Sequence, residues 1–227
     1  MTPLPSLTLN MELTELIAGF NGVAVASVAD AVDKVCGRRG YLDSGIKPRI
    51  NEQRLCGPAA TVLEVGTDEF VPPQHALDLI DEAEPGSVIV IAIEGGQSDV
   101  AVWGGLMTAG AVANGHAGAV LDGAVRDLVE IRRDYGFPVY ARDVSPGTTL
   151  GRFRTVAAQV PVKVGGIVVH PGDLVVGDVD GVVIVPRAQA AAVLALAQEI
   201  DARELEQARL IIAEKSLRKG LAKYGRI

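Results

Sequence analysis

Apolar positions along the chain recur at two periods, and the two alternate. The stretch MELTELIAGFNG (11–22) carries helical spacing and stops at Gly22. SVADAVDKVCG (27–37) predicts a second helix. Ser27 is its expected N-cap, Asp30 follows in the capping-box pattern, and Gly37 is its expected stop. Irregular chain is expected over 42–59, then a strand in AATVLEVG (59–66) and a proline-led helix in PPQHALDLIDEA (72–83). SVIVIAIEGG (87–96) is a nearly unbroken apolar run of strand length, the pattern of a strand covered on both faces. A small-residue helix follows in WGGLMTAGAVANGH (103–116), then a short strand in AGAVLDG (117–123) that the Asp-Gly pair is expected to turn. VRDLVEIRRDYG (125–136) is amphipathic, with Leu128, Ile131 and Tyr135 on one stripe, and FPVYARD (137–143) returns to a strand.

Beyond residue 160 the pattern changes. VPVKVGGIVVHPGDLVVGDVDGVVIVP (160–186) is a series of short strands broken by Gly, Pro and Asp, which predicts hairpins. A long helix is expected from about residue 187 to 218, its far half charged and able to reach a neighbouring subunit. The pattern therefore predicts an arm over 1–10, one α/β domain of mixed strands over 11–186, and a C-terminal helical segment over 187–227 that packs on the domain and on a neighbour.

Composition narrows the function classes. The 227 residues carry a formal charge of −7, and short basic runs such as Arg132-Arg133 form no stripe, so a nucleic-acid partner is not expected. Aromatics are only 4% against 48% hydrophobic residues, so Val, Ala, Leu and Ile must fill the core. Cys36 and Cys56 form no C-x-x-C and suggest neither a disulfide framework nor a zinc site. No apolar run is long enough to cross a membrane and no signal-peptide pattern is evident, which leads to the expectation of a cytoplasmic protein.

Most candidate chemistry falls away on inspection. TVLEVGTDEF (61–70) starts like a methyltransferase cofactor strand, but Gly66 is followed by Thr, Asp and Glu, which cannot cradle a nucleotide. His75, His116 and His170 are widely spaced and match no metal motif. Lys163 lies in a predicted strand, where an outward residue is as good a reading as a Schiff-base former. The stretch from Trp103 to Asp127 holds more. Gly104 and Gly105 open a helix whose first N–H groups can bind an anion, and Arg126-Asp127 follows at a strand end, where α/β sheets place ligands. Arg126 offers a fork for a carboxylate and Asp127 an oxygen ligand for a hard cation. An ordinary first-turn acid beside a solvated arginine would look the same in sequence.

Five segments in order, VASVADAVD, CGPAATV, PGSVIVIAIEGGQSDVAVWGGLMTAGA, GAVLDGAVRD and PGDLVVGDVDGVVIVP, resemble the RraA-like family over roughly residues 15–225. That group contains the 4-hydroxy-4-methyl-2-oxoglutarate/4-carboxy-4-hydroxy-2-oxoadipate aldolases and the regulator of ribonuclease activity A. The resemblance implies a β/β/α swivelling-domain-like sandwich with mixed strands and a long C-terminal helix, assembled as a homotrimer or hexamer with active sites at subunit interfaces. It implies a divalent metal, Mg²⁺ or Mn²⁺, held by Asp127, and a small 2-oxo acid held by Arg126 and by the N–H groups of Leu106 and Met107 beside Gly104 and Gly105. A Glu from a neighbour's C-terminal helix completes the family site; Glu206 is the best match and Glu204 the next.

One departure stands out. The aldolases carry Asp at the position of Gly105, where it serves proton transfer in carbon–carbon cleavage. Glu94, Asp99 and Asp122 are nearby acids that could substitute, with Asp122 also readable as a turn residue. Glu130, three residues past Asp127 on the same helix face, could reach the site or pair with Arg126 or Arg133; the pairing is the preferred reading. Decarboxylation of oxaloacetate needs no base at the substrate, so Gly105 predicts a lyase that favours it over aldol cleavage. The alternative is a non-catalytic regulator that acts by docking on another protein.

Overall fold

The computed structural model describes residues 11–96 and 99–222; the expected arm over 1–10 lies outside them. Helices α1 (Leu13–Asn21) and α2 (Val25–Cys36) lead into strands β1 (Lys47–Pro48) and β2 (Leu55–Gly66). Next come α3 (Gln74–Glu82), β3 (Val88–Ile93), β4 (Ala101–Trp103), α4 (Gly105–Ala113) and β5 (Gly118–Val125). A short α5 (Leu128–Glu130) widens at once into a π turn (Ile131–Tyr135), before β6 (Val139–Val144) and β7 (Phe153–Ala158). Two hairpins follow, β8 (Val162–Val164) with β9 (Ile167–Val169), and β10 (Leu174–Asp178) with β11 (Gly181–Val185). The long α6 (Ala190–Glu214) and the short α7 (Leu217–Leu221) end the described chain.

The main sheet runs β1-β6-β5-β3-β2-β10-β11, with β4 added to β5 and β7 to β2. Its centre, β2, β3, β5 and β6, is parallel, and β10 joins β2 antiparallel. The chain before β1 draws the two edges together. Leu42 N–H donates to the Val182 carbonyl and Ile184 N–H to the Gly40 carbonyl, while Lys47 and Pro48 pair with β6. The sheet is thus a nearly closed barrel, which leaves few unpaired edge groups.

Both faces of the sheet are covered, which is why β3 reads as a continuous apolar run. Val88, Val90 and Ala92 point inward with Val120, Tyr140 and Val175. Ile89, Ile91 and Ile93 point outward, under α3 and α4. A third cluster packs α1, α2 and α6 against β10 and β11 through Phe20, Val28, Val183 and Leu194. Leu128, Ile131 and Tyr135 pack together on the outer core, as their spacing predicts.

Four local expectations need correction. Strand β2 begins at Leu55, four residues earlier than its β-branched run suggests, because β10 pairs with 55–58. Helix α2 is capped by Ala24, not Ser27; Ser27 is buried and its hydroxyl donates to Asp201 of α6. Asp122-Gly123 does not turn the chain. It lies inside β5, where the register with β6 shifts between Leu121 and Ala124. The C-terminal helix breaks at Lys215, whose φ of 48° is left-handed, and α7 folds back so that Gly220 rests on Ile211.

Candidate functional site

Strands β4 and β5 are parallel neighbours, and both end at the same rim of the sheet. Arg126 N–H donates to the Trp103 carbonyl at 3.0 Å, which ties the two strand ends together. Chain that is twenty residues apart in sequence therefore meets at one point. From β4 the backbone passes through extended Gly104 into α4. From β5 it passes through Arg126 to Asp127, whose φ of 60° is left-handed and turns the chain sharply into α5. Asp tolerates that conformation better than most residues, because its short polar side chain can bond locally. Here it does so: Asp127 Oδ2 accepts the Gly105 N–H at 3.0 Å and lies 3.6 Å from Arg126 Nε.

Helix α4 is anchored from below. Trp103 Nε1 donates to Thr108 Oγ1 at 2.8 Å, and Thr108 Oγ1 donates to the Gly104 carbonyl. Trp103 is itself buried and stacks on Phe137 at 6.1 Å between ring centroids. The first helical N–H groups have no acceptor one turn back. Gly105 N–H uses Asp127, and Leu106 and Met107 line the opening beside it.

That opening is a cleft of about 270 Å³, lined by residues 104–107, Arg126 and Asp127. Pro72, Pro73, Thr148 and Thr149 form the opposite walls. Every residue expected from the sequence to bind substrate is on it. Asp127 lines the cleft, and its other carboxylate oxygen makes no hydrogen bond among the described residues. No group of three or more His, Cys, Asp or Glu that could hold a metal exists among the described residues. A cation here would be held by Asp127 with water and substrate oxygens, which is the habit of Mg²⁺.

The two glycines are required by the two acids that follow them. A Cβ on Gly104 would sit 2.7 Å from Asp127 Oδ2. A Cβ on Gly105 would sit 2.7 Å from Glu130 Oε1 and 2.9 Å from its carboxyl carbon. The Glu130 carboxylate therefore fills the space next to Gly105. The expected pairing of Glu130 with an arginine is only long-range: Glu130 attracts Arg133 through charge, while Arg133 is bidentate on Asp134 at 2.6 Å and Arg126 leans on Asp127.

The other candidates lie elsewhere. Asp122 is buried and bound to Arg142, and it also accepts the Gly165 N–H. Burial pushes its carboxyl above the ordinary range although Arg142 pulls the other way. With Glu94, Lys163 and Asp43 it lines a separate cavity of about 550 Å³ at one end of the barrel. Asp99 is exposed and outside the cleft. His75 bonds Thr155, His116 bonds the Ile80 carbonyl, and Lys163 points outward from β8. Glu204 and Glu206 lie on α6 and do not line this chain's own cleft. Sequence reading missed Thr148 and Thr149; their only local signal is the SPG turn ahead of them, and a bridge from Thr148 to Ala101 carries them to the cleft. Glu64, fully buried in β2, was missed as well.

The rim is apolar. Leu106 is 89% exposed, Val129 77% and Phe70 82%, with Leu150 beside Phe70's partner Gly151. A model of the RraA-like family, described as Aldolase/RraA, matches residues 25–184. The chain belongs to the RraA-like family. A Halalkalibacterium halodurans protein with the provisional name 4-hydroxy-4-methyl-2-oxoglutarate aldolase is 33% identical over 87% of this chain and 89% of its own. Among solved structures, an uncharacterized protein from Pseudomonas syringae pv. tomato matches with TM-score 0.82 and 30% identity, covering 99% of this chain and 100% of that one. Streptomyces coelicolor RraAS2, described as an unusual member of the RNase ES inhibitor RraA protein family, matches with TM-score 0.73 and 29% identity over 84% and 93%. In this RraA-like chain one rim of the sheet brings together Arg126, Asp127 and the start of α4. No helix among its described residues is long and apolar enough to cross a membrane.

Proposed function

We propose that this protein is a divalent-metal-dependent carbon–carbon lyase for small 2-oxo acids, and that it favours oxaloacetate decarboxylation over aldol cleavage of 4-hydroxy-4-methyl-2-oxoglutarate-type substrates. The observation that carries the reading is the meeting of Arg126, Asp127 and the start of α4 in one cleft. A 2-oxo acid needs a partner for its carboxylate and another for the oxygen on which charge develops. The Leu106 and Met107 N–H groups bind the carboxylate, favoured by the helix dipole. Arg126 holds the 2-oxo oxygen and, with a fixed positive charge, stabilises the enolate that both reactions form. Asp127 would hold Mg²⁺ or Mn²⁺, which would supply Lewis-acid charge at the same oxygen. Asp127 is held in place by the Gly105 N–H, so its orientation is set before ligand arrives.

The reactions differ in their proton demand. Aldol cleavage requires removal of the 4-hydroxyl proton; decarboxylation releases carbon dioxide without it. Residue 105 brings no carboxylate, which favours the second. The apolar rim supports burial against another copy of the chain, in a trimer or hexamer whose C-terminal helix offers Glu206, or Glu204, to the neighbour's cleft.

The test is to assay both reactions with Mg²⁺ or Mn²⁺ and to repeat them with Asp127→Ala. Decarboxylation that depends on metal in the native chain and is lost in the variant is the expected result. Brisk aldol cleavage without decarboxylation refutes the preference, and unchanged activity in Asp127→Ala refutes the metal assignment. RraAS2's description supports a second reading, a regulator that docks on a protein. Millimolar metal and pyruvate should raise the melting temperature of a lyase; absence of a shift favours the regulator.

A further inference from the structure

We infer that the aldol substrates of this cleft are 4-hydroxy-2-oxo acids whose C4 end is apolar, cleaved to pyruvate and an uncharged aldehyde or ketone. The inference rests on the lyase reading above and names its substrate class. The cleft has a charged side and an uncharged side. Among the described residues, Arg126 and Asp127 are the charged ones that line it, and both stand against Gly104 at the start of α4. The opposite walls are Pro72, Pro73, Leu77 and Leu150, with the neutral side chains of Thr148 and Thr149. A 2-oxo acid bound by its carboxylate at α4 and by its 2-oxo oxygen at Arg126 carries C3, and all that follows it, toward those walls.

Nothing on that side answers a second carboxylate. The wall is the start of a helix, α3, and helix starts ordinarily bind anions through free N–H groups. Here the chain enters the helix through Pro72 and Pro73, which have no N–H to offer. The next three N–H groups are already used: Gln74 donates to the Pro72 carbonyl at 2.8 Å, His75 to Thr155 Oγ1 at 3.1 Å and Ala76 to the Pro73 carbonyl at 3.0 Å. Arg152, which follows this wall in the chain, donates to the Thr148 and Leu150 carbonyls and does not line the cleft. Glu206 or Glu204 from a neighbour would add negative charge, not a cation. A carboxylate carried on C4 would therefore leave water without a partner, which is costly, whereas an alkyl group gains from the same contact. The wall also suits decarboxylation: the departing carboxylate of oxaloacetate loses its charge on the way to carbon dioxide, so apolar surroundings disfavour the ground state more than the transition state. The aldol step balances without a further reactant. The C4 hydroxyl gives up its proton as its oxygen becomes the carbonyl of the departing aldehyde, the C3–C4 electron pair passes to C3, and C3 takes up one proton to give pyruvate.

The test measures pyruvate release, with Mn²⁺ present, from 4-hydroxy-2-oxoheptanoate, which yields pyruvate and butanal, and from 4-hydroxy-4-methyl-2-oxoglutarate, which yields pyruvate from both halves. Per cleavage event, kcat/KM in the native chain should be at least about tenfold higher for the heptanoate, the scale on which an apolar pocket discriminates. Leu77→Lys puts a cation on the apolar wall and should move that ratio toward the glutarate by at least about tenfold, a reversal that loss of packing alone would not give. The melting shift given by Mn²⁺ and pyruvate should persist, since neither ligand reaches this wall. If Leu77→Lys does not fold, Leu150→Lys makes the same test; both leucines are partly exposed. A native chain that cleaves the glutarate as fast or faster overturns the inference, as does a ratio that neither variant moves. Decarboxylation of oxaloacetate with cleavage of neither aldol also overturns it, and in all three cases the lyase reading stands. A native chain that turns over none of the three substrates and shows no melting shift overturns both.

Discussion

Glu64 lies near the C-terminal end of β2, opposite Ile93 of β3 and Thr155 of β7. It is fully buried and neither carboxyl oxygen finds a partner among the described residues. Burial disfavours the charged form and pushes the carboxyl up from 4.5 to about 8. At neutral pH the folded chain therefore holds a proton there that the unfolded chain releases. The sign follows from linkage: stability from this group is fully present below the ordinary value of 4.5 and is lost as pH rises toward 8. Each pH unit within that window costs about 1.4 kcal/mol, so the loss between pH 5 and 8 is about 3–4 kcal/mol. Glu64→Gln keeps the shape and removes the titration. Urea unfolding of both proteins at pH 5, 6, 7 and 8, at one fixed protein concentration, measures the effect. The variant should gain on the native chain steadily as pH rises. A difference between the two that stays flat across the range would refute the argument that Glu64 is neutral in the fold.

Three other outcomes follow from the geometry. Arg126→Ala should lower kcat/KM for oxaloacetate by about 10²–10³-fold, because it removes the fixed charge at the developing enolate oxygen; steady-state kinetics beside a circular-dichroism check of folding will show it. Gly57→Ala places a Cβ 2.2 Å from the Gly86 carbonyl oxygen, a backbone atom that cannot swing aside, and should cost about 1–3 kcal/mol or more in denaturant unfolding. Asp122→Ala leaves Arg142 in the barrel end without its buried partner and should cost about 3–5 kcal/mol, while Asp43→Ala, which removes only the exposed member of the same network, should cost about 1 kcal/mol or less.

Much of the fold was legible in the chain because the relevant signals are local. The apolar run at 88–93, the paired hairpins after residue 160 and the stripe of Leu128, Ile131 and Tyr135 each express a period set by backbone geometry. Local signals also misled where a long-range contact outweighed them. Asp122-Gly123 has turn chemistry, yet a Cβ on Gly123 would meet the Val100 carbonyl at 3.2 Å and Ile93 Cδ1 at 2.9 Å. That glycine marks a close approach beside a register shift in a strand, not a turn. Ser27 has the hydroxyl of an N-cap but gives it to Asp201, 174 residues away, so the helix starts earlier.

The candidate site divides in the same way. Sequence by itself determined which residues have the chemistry for an anion and a hard cation: the Gly-Gly pair at a helix start and the Arg-Asp pair at a strand end are chemical choices written into neighbouring positions. Only the tertiary structure decided that these ends meet, because β4 and β5 are parallel neighbours and finish at one rim. It also decided which acid stands beside Gly105. Three carboxylates were near in sequence, and none of them is there; the fourth, Glu130, had been assigned to an arginine. The reason is steric. Spacing along a chain says which side chains share a face, but the absence of a Cβ becomes a place for another group only when a second element is packed against it.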